Sequence, residues 1–358
     1  MFGKVKEGST AALIQLCAGY FVFYVITGIT VKFFLSGHVG FPNMQGMEFL
    51  VYSTVGGMCV SLAVVLALRW YRFTSVQRVT IGRLNVPVEF LYIIPSGIFT
   101  AVVVPTTTLM YSFDGISVMV AMVLMRGSVI VIGRVVDAIQ IRQGILKKTV
   151  YKEENIAVAI AIGVVGLELL GPSEGASPFS SLPVMVIFVA YVVSYAFRIY
   201  IMNYFKNTRP RGSMGNNKGF FAIEQITATA VIFFVTLILL MLHRSGVIAG
   251  PRISVMAKAV FSPTPHWWYW AILAGMAFGI VSFFSVFIFM FKGRTATFAG
   301  LVNRITSLIA PLPFGLRFWG NYRFLREWGG LGLIFVAVGF MARAEKKRAM
   351  ELARNSEL

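Results

Sequence analysis

One stretch constrains this chain more than any other: the apolar run at residues 116–138, which carries an arginine near its middle. At about 1.5 Å per residue, a helix of this length crosses the ~30 Å hydrocarbon core of a bilayer. A charge at that depth costs roughly 2.5–3.5 kcal/mol on insertion scales, so Arg126 must face a partner or a water-filled cavity. A second run, residues 295–313, places Arg304 at a similar depth. Two such arginines predict two membrane helices that line one path.

The whole chain has the composition of a membrane protein. Of its 358 residues, 57% are hydrophobic and only 13% are charged, and the mean hydropathy is +0.78. Because soluble proteins rarely reach such values, we expect an all-α polytopic membrane protein. Ten apolar segments mark its expected transmembrane helices: 11–35, 49–70, 87–111, 115–139, 155–171, 182–205, 219–242, 267–292, 295–313 and 328–343.

Positive charge is unevenly distributed between the segments that connect these helices. If the N-terminus lies inside and the helices alternate, 21 Lys and Arg side chains fall on the inner side and six on the outer side. Because cytoplasmic loops are enriched in Lys and Arg, we expect both termini in the cytoplasm and the protein in the cell inner membrane. This topology accounts for the net charge of +18, so we expect no nucleic acid partner. Two clusters of outer positive charge, at 243–266 and 317–326, depart from the rule.

Ten crossings would place the two halves of the chain in opposite orientations. We expect a first five-helix repeat at 1–172, a linker at 173–181, a second repeat at 182–345 and a basic cytoplasmic tail at 346–358. Inverted repeats are a recurrent transporter architecture, with the substrate site near the midplane where they meet. The expected partners are the lipid bilayer and a small-molecule substrate, and a homodimer is left open.

Prolines and glycines indicate how the helices pack. Pro95 and Pro105 interrupt the third segment. Helix-breaking residues at membrane depth predict, with equal weight, either a cavity wall or an ordinary kink. Gly275 and Gly279 form a GxxxG pair, which predicts close approach to a neighbouring helix.

Residues for catalysis and metal binding are sparse. The three histidines, His38, His243 and His266, fall at predicted outer ends or loops, and both cysteines lie inside apolar segments. The chain contains no HExxH, Walker A or CxxC sequence. We therefore expect no enzyme activity, no metal site and no cofactor. Without an ATP-binding loop, transport would run down a gradient, by exchange, or coupled to an ion.

The two arginines inside apolar segments are the strongest functional candidates. A guanidinium binds carboxylate or phosphate through two parallel hydrogen bonds, so arginines that converge from opposite halves would hold an anionic substrate. We expect a substrate clamp of Arg126 and Arg304, with polar contacts from the same two segments: Ser128, Thr306 and Asn303. The alternative is that carboxylates or backbone carbonyls satisfy the arginines, and that the polar residues bind neighbouring helices.

Other ionisable groups have predicted roles of their own. Arg134 and Asp137, three residues apart near the cytoplasmic end, are expected to form an ion pair. Arg198 lies close enough to a membrane face to extend toward water, which makes substrate contact the less favoured role. Glu168 is a candidate carrier of a coupling proton, with simple hydration near the outer end as the favoured alternative.

Two stretches of sequence resemble a known family. MVLMRGSVIVIGRVV, around Arg126, is similar to the fourth-helix signature of the drug/metabolite transporter superfamily, in its nucleotide-sugar-transporter-like branch. ATFAGLVNRITSLIAPL and REWGGLGLIFVAVGFMARAEKKR are similar to its ninth and tenth helices, including Glu327 before a glycine-rich last helix. The resemblance implies ten helices in two inverted repeats around a central cavity, with Arg126 and Arg304 at cavity positions. It also implies alternating-access transport of metabolites such as sugar nucleotides, sugar phosphates or amino acids.

These patterns predict a secondary transporter that moves a small polar, anionic metabolite across a membrane by alternating access. The substrate class stays open, because the ninth helix lacks the lysine–threonine motif common in nucleotide-sugar carriers. Two alternatives remain. One is a non-transporting scaffold or assembly protein whose arginines are satisfied internally. The other is a flippase that binds the phosphate of a lipid intermediate through the same arginines.

Overall fold

The computed structural model describes residues 9–35, 40–72, 75, 77–111, 118–146, 150–170, 181–208, 216–291, 293–309 and 326–354. Some side chains within these ranges, those of Arg304 and Glu168 among them, lie outside the description. The predicted linker at 173–181 falls almost wholly outside it as well.

Eleven helices make the described chain predominantly helical, as the apolar segments predict. They are α1 (Thr10–Leu35), α2 (Gly46–Ala67), α3 (Phe90–Tyr111), α4 (Val118–Arg142), α5 (Lys152–Leu170), α6 (Leu182–Thr208), α7 (Asn216–Arg244), α8 (Pro251–Phe261), α9 (Trp268–Phe289), α10 (Ala296–Ile309) and α11 (Arg326–Arg354).

A small hairpin that was not predicted connects α2 to α3. Its strands are β1 (Arg78–Ile81) and β2 (Leu84–Pro87), which pair antiparallel with Ile81 opposite Leu84. The β-branched residues of β1 favour a strand, and Gly82 adopts the positive φ of +61° that the two-residue turn requires.

In the part of the chain that the structure describes, six helices are long and apolar enough to cross a membrane: α1, α2, α3, α6, α7 and α9. Their number and length indicate an integral membrane protein. The other four predicted segments coincide with α4, α5, α10 and α11. Of these, α4 carries several charged residues along its length, and α10 has only 14 described residues.

Close packing of α2 against α9 confirms the GxxxG prediction. A Cβ atom added to Gly275 would lie 2.2 Å from the carbonyl oxygen of Ser53, and one added to Gly279 would lie 2.4 Å from that of Gly57. On the α2 side, a Cβ on Gly56 would meet the carbonyl oxygen of Ile272 at 1.8 Å. Glycine at these positions therefore lets the two backbones touch.

The loop at 243–266 contains α8, a short helix that carries two of the positive charges there, Arg252 and Lys258. Met256 and Ala259 are buried, while Arg252 and Lys258 are exposed. The hydroxyl of Tyr52 donates to the carbonyl oxygen of Ala259 at 3.0 Å and so holds α8 against α2. Exposed cations on a short helix at a membrane surface can contact lipid headgroups.

The end of the bundle opposite α8 contains Arg294 and Arg348 and is here called the basic end. At this end Asp137 caps the start of α10. Its two carboxylate oxygens accept the backbone N–H groups of Ala296 at 2.8 Å and Thr297 at 2.7 Å. The unpaired N–H groups at the start of a helix favour such an acidic partner. The predicted Arg134–Asp137 ion pair is therefore wrong, and Arg134 Nε donates instead to Asn155 Oδ1 at 2.9 Å.

Helix α11 packs along α5 and ends at the basic end. Arg348 is buried there, and its Nη2 donates to Glu154 Oε1 at 2.6 Å. The Thr295 hydroxyl donates to the other oxygen of Glu154 at 3.4 Å. Burial raises the pKa of Tyr151 to about 12, so this phenol, whose ring lies 5.0 Å from the Arg348 guanidinium, stays neutral. Residues 346–354, predicted as a tail, thus continue α11 and place Arg348 inside the protein.

Candidate functional site

A cavity of about 70 Å³ lies between five of the helices. Because one water needs roughly 10–15 Å³, the cavity has room for about five waters or for the charged group of a metabolite. Helices α1, α3 and α4 come from the first half of the chain and α6 and α9 from the second. The lining residues are Tyr20, Tyr24, Thr100, Val103, Val104, Thr107, Met125, Arg126, Tyr191, Tyr195, Arg198, Phe278, Val281, Ser282 and Ser285.

Arg126 reaches the cavity from α4. Its side chain is almost fully buried, and Nη2 donates a hydrogen bond to the hydroxyl of Tyr24 on α1. The guanidinium carbon also lies 4.8 Å from the centre of the Tyr24 ring, within the range of a cation–π contact. The structure thus places this predicted clamp residue on the cavity wall, with one of its contacts supplied by an aromatic side chain.

A second arginine on the cavity wall, Arg198 of α6, is held by a carboxylate. Its Nε donates to Glu224 Oε1 at 2.9 Å and its Nη2 to Glu224 Oε2 at 3.0 Å, the paired geometry that guanidinium and carboxylate favour. Glu224, on α7, is fully buried. The prediction that Arg198 extends toward the membrane face is wrong, because a buried acid on the next helix compensates its charge within the protein.

Helix α3 supplies two hydroxyl groups to the same carboxylate. Ser96 Oγ lies 2.7 Å and Thr100 Oγ1 3.1 Å from Glu224 Oε1. The Thr100 hydroxyl also lies 2.9 Å from the carbonyl oxygen of Ser96, so its single hydrogen has two acceptors to choose between. Since Thr100 lines the cavity, α3 forms part of the cavity wall. A cavity wall was one of the two roles predicted for this helix from Pro95 and Pro105, and an ordinary kink was the other.

Asn303 lies behind the cavity wall. It is fully buried on α10, where its Nδ2 donates to Ser285 Oγ at 3.0 Å and its Oδ1 accepts from the Tyr20 hydroxyl at 3.2 Å. Ser285 and Tyr20 both line the cavity. Asn303 therefore positions two lining side chains from α1 and α9, although the sequence predicted direct contact with substrate.

The remaining predicted contacts lie elsewhere or outside the described part of the chain. The Ser128 hydroxyl donates to the carbonyl oxygen of Met125 at 2.8 Å, and the Thr306 hydroxyl to that of Val302 at 2.7 Å. Both hydroxyls are thus satisfied by their own helices, and neither residue lines the cavity. The backbone of Arg304 belongs to α10, and its side chain lies outside the description.

The pair of Arg198 and Glu224 carried a sequence signal that prediction from single segments missed. Each lies in an apolar segment, and the two segments follow one another in the chain. An ionisable residue inside a membrane segment needs a partner. An acid and a base in consecutive segments are therefore expected to form an ion pair. The aromatic lining by Tyr191 and Tyr195 carried no comparable signal.

The arrangement is suited to binding an anion. Two guanidinium groups on the cavity wall donate charge-assisted hydrogen bonds, and the tyrosine and serine hydroxyls can accept or donate the remaining ones. The walls between them are apolar, as in most small-molecule sites. Among the described residues, no cluster of three His, Cys, Asp or Glu side chains could hold a metal ion.

Comparison with known proteins leaves the family undecided. No family model matches the chain, and no curated protein matches it. One solved structure, described only as the crystal structure of a protein, aligns with 98% of this chain and with all of its own. It shares 14% sequence identity with a TM-score of 0.49, a likeness that assigns neither a family nor an activity.

Proposed function

We propose that this protein is a secondary transporter that moves a small polar, anionic metabolite across a membrane. The observation that carries the proposal is the cavity between α4 and four of the helices that are long and apolar enough to cross a membrane, because Arg126 and Arg198 reach it from different halves of the chain. A buried guanidinium is expensive in a bilayer, and ionisable groups that line an intramembrane cavity mark substrate pathways.

The proposed architecture is the one that the sequence predicts. Ten transmembrane helices would form two inverted five-helix repeats, as in the drug/metabolite transporter superfamily that the sequence resembles. The excess of Lys and Arg on one side would place both termini in the cytoplasm, with the protein in the cell inner membrane. Alternating access would then rock one repeat against the other around the cavity.

Two residues form the proposed substrate clamp. Arg126, paired with the Tyr24 hydroxyl, would bind the carboxylate or phosphate from α4. We assign the second guanidinium to Arg198, whose contact with Glu224 orients it along the cavity wall. Arg304 stays a prediction as an additional clamp residue.

A thermal-shift screen of the detergent-purified protein tests the proposal. The probes are glucose 6-phosphate, UDP-glucose, malate and glutamate, with uncharged glucose as the negative probe. A ligand that binds only the native state stabilises it by RT ln(1 + [L]/Kd), about 2.7 kcal/mol at a hundred times Kd. We expect at least one anionic probe to raise Tm, and glucose to leave it unchanged.

Two variants on the same helix show whether the cavity is responsible. Arg126→Gln should abolish the ligand-induced rise in Tm. Arg134→Gln, which alters a contact with Asn155 outside the cavity, should retain it. The proposal fails if no anionic probe shifts Tm, and equally if Arg126→Gln responds like the unaltered protein. Short-chain phosphatidic acid is a further probe. A rise in Tm with this lipid and with none of the soluble anions would identify the cavity as a lipid-phosphate site and so favour the flippase.

A further inference from the structure

We propose that the cavity couples anion binding to proton uptake, with Glu224 as the residue that takes the proton. The bound anion displaces the Glu224 carboxylate from Arg198, and one proton, which arrives from bulk solvent as hydronium, joins Glu224. This inference rests on the proposed transport function and adds the coupling ion to it.

Arg198 belongs both to the cavity wall and to an ion pair. It is one of the lining residues, while the carboxylate that holds it, Glu224, is fully buried and is not. An anion that enters the cavity therefore meets an arginine that already binds a carboxylate. The planar fork that binds a carboxylate through two parallel hydrogen bonds binds a substrate carboxylate or phosphate in the same way.

Charge balance links the anion to a proton. As the structure stands, Arg198 and Glu224 compensate each other, and among the described residues that contact Glu224, Arg198 carries the only charge. An anion that binds Arg198 without a proton would leave the Glu224 carboxylate uncompensated in a buried site. Such a group neutralises itself by binding a proton rather than remaining charged.

The hydroxyl groups around Glu224 suit both protonation states. Ser96 and Thr100 donate to the carboxylate when it is ionised. When Glu224 is protonated, the Thr100 hydroxyl can turn its hydrogen to the carbonyl oxygen of Ser96, 2.9 Å away, and accept the new O–H. An N–H donor in this place could not make that exchange. Thr100 also lines the cavity, so it connects Glu224 to the cavity water through one hydroxyl.

The full cycle moves one proton with each anion in the same direction. Hydronium from the solvent on the entry side gives its proton to a carboxylate oxygen of Glu224 as the anion joins Arg198, and a water molecule is left. When the anion leaves on the other side of the membrane, Glu224 releases the proton to water there and returns to Arg198. The cavity would thus carry out proton–anion symport, and no other co-reactant is needed.

Isothermal titration of the detergent-purified protein tests the coupling, with glucose 6-phosphate, malate and glutamate as the three probes. By linkage, uptake of one proton makes the anion bind more tightly as the pH falls, by at most tenfold for each pH unit. Titration in two buffers of different ionisation enthalpy should report about one proton taken up per anion. The probe's own titration cancels when variants are compared with the unaltered protein.

Glu224→Gln gives the decisive comparison, because glutamine keeps the shape of the side chain and carries no charge. The affinity of this variant should equal or exceed that of the unaltered protein at the lowest pH measured, it should not change with pH, and proton uptake should fall to zero. Glu48→Gln is the matched control, since Glu48 lies at the end of the bundle opposite the basic end and accepts from the Thr264 hydroxyl. It should keep the normal pH dependence.

The outcomes separate the coupling from the transport function. If a probe binds the unaltered protein equally well at every pH, or if Glu224→Gln loses binding altogether, Glu224 only positions Arg198 and the coupling is overturned while the anion site stands. If Glu168→Gln instead of Glu224→Gln removes the pH dependence, the coupling residue is wrongly assigned. If no probe binds at any pH, the anion site and the coupling fail together.

Discussion

Two buried arginine–glutamate pairs of this protein have the same chemistry and different surroundings. Arg198 and Glu224 meet between α6 and α7, and the arginine forms part of a cavity wall. Arg348 and Glu154 meet at the basic end, between α11 and α5, and neither lines the cavity. The first pair is placed to exchange a partner with a ligand, while the second fastens the last helix to the bundle.

Hydrogen bonding separates the pairs as well. The Glu224 carboxylate accepts hydrogen bonds from Nε and Nη2 of Arg198 and from the hydroxyls of Ser96 and Thr100. Glu154 accepts one short bond from Arg348 and one long bond from Thr295, and Arg348 Nη1 has no hydrogen-bond partner among the described residues. Burial of an ion pair is therefore weak evidence of function by itself, and access to a cavity is what distinguishes the two.

The largest loss of stability is expected for Glu224→Leu. The substitution leaves Arg198 buried without its acidic partner, which costs about 3–5 kcal/mol in comparable pairs. Thermal unfolding in detergent should show a large fall in Tm, and the double variant Arg198→Met with Glu224→Leu should recover much of it. A single variant as stable as the unaltered protein would show that the pair is dispensable.

Arg348→Met should cost less and leave ligand binding intact. The substitution leaves Glu154 without its cationic partner. That carboxylate keeps the Thr295 hydroxyl and lies in the first turn of α5, so we expect the free energy of unfolding to fall by about 2–3 kcal/mol. Tm and the anion-induced shift are measured on the same sample. If this variant abolishes the shift as Arg126→Gln does, the two ion pairs do not differ in function.

Removing one hydroxyl from the Glu224 site should have a smaller effect again. Thr100→Val deletes a donor to the carboxylate, for an expected loss of about 1–2 kcal/mol. Thr107→Val is the matched control, because the Thr107 hydroxyl also belongs to a residue of the cavity wall but donates to the carbonyl oxygen of Val103. Equal falls in Tm for the two variants would argue against a special role of Thr100.

The smallest effect on stability is expected at the solvent-exposed part of the contact between α5 and α11. Lys347 Nζ donates to Glu153, but the lysine side chain is 53% exposed, so solvent screens the pair. Lys347→Gln should leave Tm unchanged within error at low and at high salt. A clear fall that disappears at high salt would mean that this contact is stronger than its exposure indicates.

How far the sequence predicted these features depended on the range of the interaction. The apolar length of α2 and α9 and the glycines between them are local signals, and the close packing that they predict is present. Arg126 was expected at a cavity because a charge within an apolar run has few other places, and the structure puts it there. Helix α8 was missed because a short amphipathic helix inside a loop resembles a polar connection.

Interactions between distant segments were the part that could not be predicted. Arg134 and Asp137 are spaced for an ion pair, yet the start of α10, 159 residues from Asp137, offers its carboxylate two backbone N–H groups. Arg198 was placed near water because its depth alone was considered, and its bond to Glu224 depends on the packing of α6 against α7 and α3. Spacing along one helix cannot show which neighbour supplies the better partner.

Uptake by liposomes that contain the purified protein tests the transport function most directly. Radiolabelled glucose 6-phosphate, malate and glutamate are added outside liposomes loaded with the same compound, and entry by exchange is followed over time. We expect at least one of these anions to enter, Arg126→Gln to reduce its entry to that of empty liposomes, and Arg134→Gln to leave it unchanged. Entry that persists in Arg126→Gln, or no entry of any anion, would contradict the transporter with an arginine-lined cavity.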